Sequence, residues 1–322
     1  AAARFEHEEL VIGGIYDLWR FDVDFGMRLL YPDLDNLELA RLPRTRARVD
    51  KTVWVARHGF DIFHNRLSYG AEYVYNHYHA GIMTDPDHQE HRVGLYLQDE
   101  IDLQGLFGEF MEGELPALLL TVGLRFDYNS VTRQELSPRA SIVYAVNPDH
   151  TLRFGYSHAF LKPTFFETSI DVQVEDVSNL GLHRLSMATP DLDNETVDSL
   201  QLGYNGSFLD GSLILRLELA YNWYRNSIWF DIDEDQIDYI EVGGLRIPRL
   251  DSQGFHFINH PSGYNGHNVE LEIILKPTDR SRIFFQAGYR QILDSDTGEW
   301  GLGEPVWRLA AGASLRGFTG WE

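Results

Sequence analysis

His77, His79, His88 and His91 crowd one short stretch, with Asp85 and Asp87 between them. Imidazole nitrogens and carboxylate oxygens held close together can bind zinc, copper or nickel. The same composition also makes an ordinary solvated hairpin. That plainer reading is the one expected here, and no metal is assigned. Asp231, Asp233 and Asp235 begin like a calcium loop. Such a loop needs Gly at its sixth position and Glu at its twelfth. Gln236 and Val242 stand there, so an acidic, solvated loop is expected.

Catalysis has less to build on. The chain contains no Gly-x-x-x-x-Gly-Lys phosphate loop, no Gly-x-Gly-x-x-Gly, no His-Glu-x-x-His and no Gly-x-Ser-x-Gly. Its 49 acidic residues guarantee that some carboxylates lie close to each other, so no pair receives a role. We read the chain as a non-enzyme without a cofactor.

The elements that must position these residues show a period of two. In Arg92–Leu103, Val93, Leu95, Leu97, Ile101 and Leu103 fall on one face. Gly94, Tyr96, Gln98, Glu100 and Asp102 fall on the other, and Asp99 is the single exception. In Leu118–Asn129, Leu120, Val122, Leu124, Phe126 and Tyr128 alternate with Thr121, Gly123, Arg125, Asp127 and Asn129. A helix does not keep this period. The pattern returns in Trp19–Arg28, Ser199–Phe208, Leu213–Trp223 and Ile283–Arg290. Many segments run ten residues or more, against about 5–6 for a strand of a soluble protein. Several apolar faces end in Tyr, Phe or Trp, the residues of membrane-interface girdles.

Connections alternate in length. Short ones lie near His58–Asn65, Asn147–His150, Phe208–Gly211 and Lys276–Ser281, with turn formers such as Asn147-Pro148-Asp149 and Asp210-Gly211. Gln104–Pro116 is longer, with room for a helical turn. Long ones lie near Tyr31–Thr45, Asn76–His91, Asn129–Ser137, Leu161–Glu195, Arg225–Tyr264 and Gln291–Glu304. The fold expected is all-β: an antiparallel transmembrane β-barrel with short periplasmic turns, long outer loops and about 13 strands.

Composition agrees. The 322 residues carry 27 basic and 49 acidic side chains, a formal charge of −22. Nucleic acid is therefore a poor partner, since phosphate binding needs a basic surface. With 13% aromatic residues the chain is not compositionally disordered. There is no cysteine, which removes disulfides and thiolate metal sites. No run of about 18 apolar residues makes a transmembrane helix, but a spanning strand needs only about 9–11 residues, apolar at every second one. Two alternatives stay open: a porin or structural outer-membrane barrel, and a soluble all-β carbohydrate-binding protein or enzyme.

An ordered series of short motifs narrows the choice. Tyr96-Leu97-Gln98-Asp99-Glu100 is followed by Gly123-Leu124-Arg125-Phe126-Asp127, Ser137-Pro138-Arg139 and Phe160-Leu161-Lys162-Pro163. Thr189–Asn205 and then Gly266-His267-Asn268-Val269-Glu270-Leu271-Glu272 complete it. At strand spacing, this series resembles the barrel of TonB-dependent receptors. Lys162 stands where that family usually has Arg, and Asp193-Asn194-Glu195 where it has Lys-Pro-Glu.

The resemblance implies an outer-membrane receptor of a Gram-negative bacterium, embedded in lipid. It would take up a scarce ligand, foremost a ferric siderophore, with energy from the TonB complex of the inner membrane. Residues 1–322 are then expected to be one barrel segment. The family's plug domain and the closing strands of a barrel of about 22 strands are expected to lie outside it. His77, His79, His88 and His91 become candidate ligand contacts at the outer loops. So does His183, placed between the Phe160–Pro163 turn and the Thr189–Leu192 segment as in haem receptors of the family, although a loop histidine without a special role is the plainer expectation. Arg125, Arg139, Arg153, Arg216 and Glu218 are expected to face the lumen. Their expected use is cross-strand ion pairing, with contact to a plug or an anionic ligand as the alternative.

Overall fold

A computed structural model describes residues 9–23, 28–31, 37–41, 45–81, 83–108, 116–173, 175–176, 184–242, 244–249, 252–299 and 306–315. The alternating segments form one antiparallel sheet of 12 strands. They are β1 (Glu9–Val23), β2 (Thr45–Ile62), β3 (Asn65–Ala80), β4 (Asp87–Asp102), β5 (Ala117–Asn129) and β6 (Glu135–Asn147). Then come β7 (His150–Leu161), β8 (Glu195–Phe208), β9 (Leu213–Arg225), β10 (Tyr264–Thr278), β11 (Ser281–Asp294) and β12 (Trp307–Leu315). Each pairs only with its neighbours in this order, a meander without crossovers. Chain connectivity explains this: the tight turns between alternate strands permit antiparallel partners alone.

The short connections are tighter than the sequence suggests. β2 and β3 are joined by Phe63 and His64, so His58 lies within a strand and not in a turn. Between β8 and β9, Leu209 and Asp210 adopt left-handed backbone (φ 54° and 52°) before Gly211 (φ 84°). The helical turn expected after β4 is α1 (Leu103–Gly108). The long connections carry small paired strands of their own, such as Ile228–Ile232 with Phe255–Asn259 and Tyr239–Val242 with Leu245–Pro248.

Residues paired across neighbouring strands share a face. One face collects Leu97 with Leu124, Leu202 with Leu219, Leu217 with Leu271, and Ile273 with Phe285. Among the described residues these side chains have little cover: Leu97 is 52% exposed and Leu202 46%. The buried apolar residues among those described are few. Ala80, Met83, Ile170, Leu192 and Ile247 lie at the outer ends and loops, and Val74 and Ile274 within strands. A soluble sandwich would pack this face against a second sheet, so that alternative fails. Rings mark the outer border of the face, with Tyr221 on Trp223 (4.5 Å) and Tyr289 on Trp307 (4.8 Å). Asp99, the lone break in the pattern, is accommodated by Asn65 at the turn end of β3, whose Nδ2 donates to it at 2.7 Å.

Candidate functional site: the polar wall and the outer mouth

The opposite face of the sheet is polar, and register assembles it. Arg153, Gly203, Glu218 and Glu270 form one row across β7–β10. Asn205, Arg216, Glu272 and Gln286 form the next, across β8–β11. Arg153 Nη2 reaches over Gly203 to Glu218 Oε2 at 2.9 Å. A Cβ on Gly203 would stand 2.9 Å from both oxygens of that carboxylate, so glycine leaves the space the pair needs. Arg216 Nη1 donates to Glu272 Oε2 at 2.6 Å, and Gln286 Nε2 to the other oxygen at 2.9 Å. Arg125 grips Asp127 with two bonds of 2.7 Å, and Arg139 crosses Gly123 to Gln98. All five residues expected to face a lumen therefore share one face, and each pairs locally. Gln98, Arg139, Ser141, Arg153, Ser157 and Gln201 line a groove of about 370 Å³ there. The result is a polar surface of paired charges, rich in donors and acceptors.

At the outer end of this face, Glu90 on β4 is only 2% exposed. Burying a carboxylate demands donors, and several converge: Asn129 Nδ2 at 2.6 Å, Asn76 Nδ2 at 2.8 Å, Tyr78 Oη at 3.1 Å and the Lys162 ammonium. Lys162 begins the connection between β7 and β8. Just after it, Thr164 caps the helix α2 (Phe165–Ser169) through a capping box with Glu167. Phe165 stacks on Tyr78 with ring centroids 4.7 Å apart. Ile170 bridges to Met83 at the tip of the β3–β4 hairpin, and Thr84 N donates to Ser169 O at 2.8 Å. Sequence reading missed this anchor, whose partners lie 72 positions apart. It also missed Asn259, whose side chain binds the backbone of Asp193 and Asn226 and so ties two outer connections together.

The four clustered histidines are strand residues and lie on both faces. β3 runs to Ala80 and β4 starts at Asp87, which leaves a shorter loop than expected. His88 falls on the polar face, near Phe165. His77, His79 and His91 fall on the other, where His91 Nδ1 lies 2.8 Å from Tyr73 Oη. His183 lies outside the described residues. Asp231, Asp233 and Asp235 form no metal-sized cluster among the described residues; the Asp233 carboxylate caps the turn Glu234–Gln236 instead.

An exposed apolar face backed by a charge-paired polar one, on a meander with long outer connections, is the wall of a membrane barrel. Residues 9–309 match the family model described as TonB dependent receptor-like, beta-barrel. The chain belongs to this family.

Solved TonB-dependent receptors have the same fold. A mutant of the ferric enterobactin receptor PfeA from Pseudomonas aeruginosa superposes with a TM-score of 0.71 at 16% identity, over 96% of this chain and 45% of that one. The siderophore receptor PirA from Acinetobacter baumannii gives 0.69 at 14% identity, over 94% and 45%. The copper transporter OprC gives 0.59 at 14%, over 97% and 49%. The chain thus spans about half the length of the receptors it matches. No curated protein matches it in sequence. Within this TonB-dependent receptor wall, the Asp193-Asn194-Glu195 departure has a local role. Asn194 is 3% exposed and donates to Glu135 Oε2 at 3.2 Å, and Glu195 Oε1 accepts from Ile228 N at 2.8 Å.

Proposed function

We propose that this chain is the wall of an outer-membrane receptor of a Gram-negative bacterium that takes up a ferric siderophore, with energy delivered by the TonB complex. The observation that carries this reading is the pairing of family membership over residues 9–309 with a polar wall on which Arg153 and Arg216 are paired with Glu218 and Glu272. Such a lining conducts a polar ligand without trapping it, because Arg153 and Arg216 are already satisfied by Glu218 and Glu272. Capture then falls to the outer connections and to the plug that fills the lumen in this family. Uptake requires these parts to bind the ligand more tightly in the closed state than in the energised one. Of the clustered histidines, we assign His88 to the ligand path, since it shares the polar face beside the Lys162–Ser169 anchor.

The reading is tested in the source organism under iron limitation. Radioiron is supplied as a catecholate or hydroxamate chelate to wild-type cells, to cells lacking this gene and to cells lacking TonB. Loss of uptake of one chelate in both deletions supports it. Undiminished uptake of every chelate without the gene contradicts it.

A further inference from the structure

Outside the barrel, away from the polar wall, register assembles a second cluster. Asp50 on β2 stands opposite His77 on β3. His79 follows two residues later on the same face, and Asp87 on β4 stands opposite it. Asp50, His77 and His79 each present a ligand atom within 4.8 Å of the others. His77 Nε2 and His79 Nδ1 each lie 2.7 Å from Asp87 Oδ1, while His79 Nε2 faces Asp50 Oδ2 at 3.9 Å. The ring centroids are 3.9 Å apart. Behind Asp50, the Arg48 guanidinium (2.9 and 2.8 Å) and the Tyr16 hydroxyl (2.9 Å) fix the carboxylate.

We propose that Asp50, His77 and His79 bind one divalent first-row transition metal, zinc(II) or copper(II). Two imidazoles and a carboxylate are a donor set for these ions, whereas calcium and magnesium prefer oxygen alone. Metal–ligand bonds of about 2.0–2.2 Å place neighbouring donors roughly 3.3 Å apart in a tetrahedron, and the ligand atoms of Asp50, His77 and His79 already lie within 4.8 Å of one another. Arg48 and Tyr16 orient the Asp50 ligand, as outer partners of metal carboxylates do. Arg48 also offsets one negative charge, so the carboxylates of Asp50 and Asp87 are only partly neutralised before the ion arrives.

The position says what the ion does. Tyr73 and Tyr75 precede the cluster on the same face, so the site lies just beyond the aromatic border of the wall. An ion there joins β2 to β3 at their outer ends, and Asp87 of β4 lies against both imidazoles. It stiffens the hairpin whose tip, Met83 and Thr84, holds the segment ending at Ile170. The site is structural and separate from the ligand path, and it does not depend on which ligand crosses.

The test uses the full-length protein in detergent, stripped with chelator and titrated with zinc or copper(II) chloride by calorimetry, with copper also followed by electron paramagnetic resonance. One ion per chain is expected, with hyperfine structure from two imidazole nitrogens. Loss of a mere outer partner costs roughly 10–100-fold in affinity, so His77→Gln, His79→Gln and Asp50→Asn should each cost at least that. Each histidine variant should lose one nitrogen, and His88→Gln should bind as wild type. If a histidine variant fails to fold, Asp50→Asn carries the test. Absence of saturable binding, binding that survives both histidine changes, or binding abolished by His88→Gln would overturn the proposal.

Discussion

Lys162 forms an ion pair with Glu90, the carboxylate that β4 buries at the outer end of the polar wall. The pair ties the start of one long outer connection to a strand three places along the sheet. With Lys162 in place, the capping box at Thr164, the Phe165–Tyr78 stack and the Ile170–Met83 bridge follow over eight residues. Lys162→Ala should release this segment while the wall stays folded. Hydrogen exchange reads it directly: the amides of Thr168 and Thr189, bonded to Thr164 O and Glu167 O, should lose protection. Unchanged protection there would mean that the stack and bridge suffice without the ion pair.

Leu217 is on the apolar face, paired with Tyr204 and Leu271. Leu217→Arg should destabilise the full-length barrel in lipid by roughly 2–4 kcal/mol, the cost of a cation on the lipid side near mid-bilayer. Denaturant unfolding in vesicles measures it. A cost near zero would place this face in water.

Arg153 and Glu218 pair across Gly203 on the polar wall, yet both remain about half exposed (47% and 46%). Water screens them, so a double-mutant cycle of Arg153→Ala and Glu218→Ala should give a coupling of only about 0.2–1 kcal/mol. A much larger value would show that the groove is dry.

Asp294 closes the outer end of β11, beyond the aromatic border. Backbone N–H groups of Thr297 and Asp296 hold its carboxyl below the ordinary aspartate value of 3.8. A carboxyl with a depressed value in the folded state stabilises above the unfolded value and loses that contribution as pH falls through the folded one. The Asp294–Glu299 turn should therefore be pH-independent near neutrality and loosen only below 3.8. Exchange of the Gly298 amide, bonded to Asp294 O at 3.0 Å, reports this. Asp294→Asn should remove the acid transition.

The faces of the wall were legible because the bilayer imposes them. Val93, Leu95 and Leu97 must be apolar and Gln98 need not be, so period two survives in the sequence. The turns at Asn147–Pro148–Asp149 and Asp210–Gly211 were legible from residue type alone. Strand ends were not. Beyond the aromatic border both faces are wet, alternation carries no penalty, and the outer residues of β3 and β4 look like loop. That is why His77 and His79 were expected in a loop, and why His88 and His91 were grouped with them despite their different faces. Asp50 joins the histidines only through strand register, and Lys162 reaches Glu90 only through the fold. Contacts between distant residues leave no local trace in a single sequence.

The most direct test of the account uses the absence of cysteine. Single cysteines at 94 through 98 on β4 of the full-length protein, spin-labelled and reconstituted in vesicles, report contact with oxygen in lipid and with a nickel chelate in water. The account predicts strict alternation, with oxygen contact at 95 and 97 and nickel contact at 94, 96 and 98. Equal contact at both parities, or water at 95 and 97, would contradict the lipid-facing wall and with it the receptor reading.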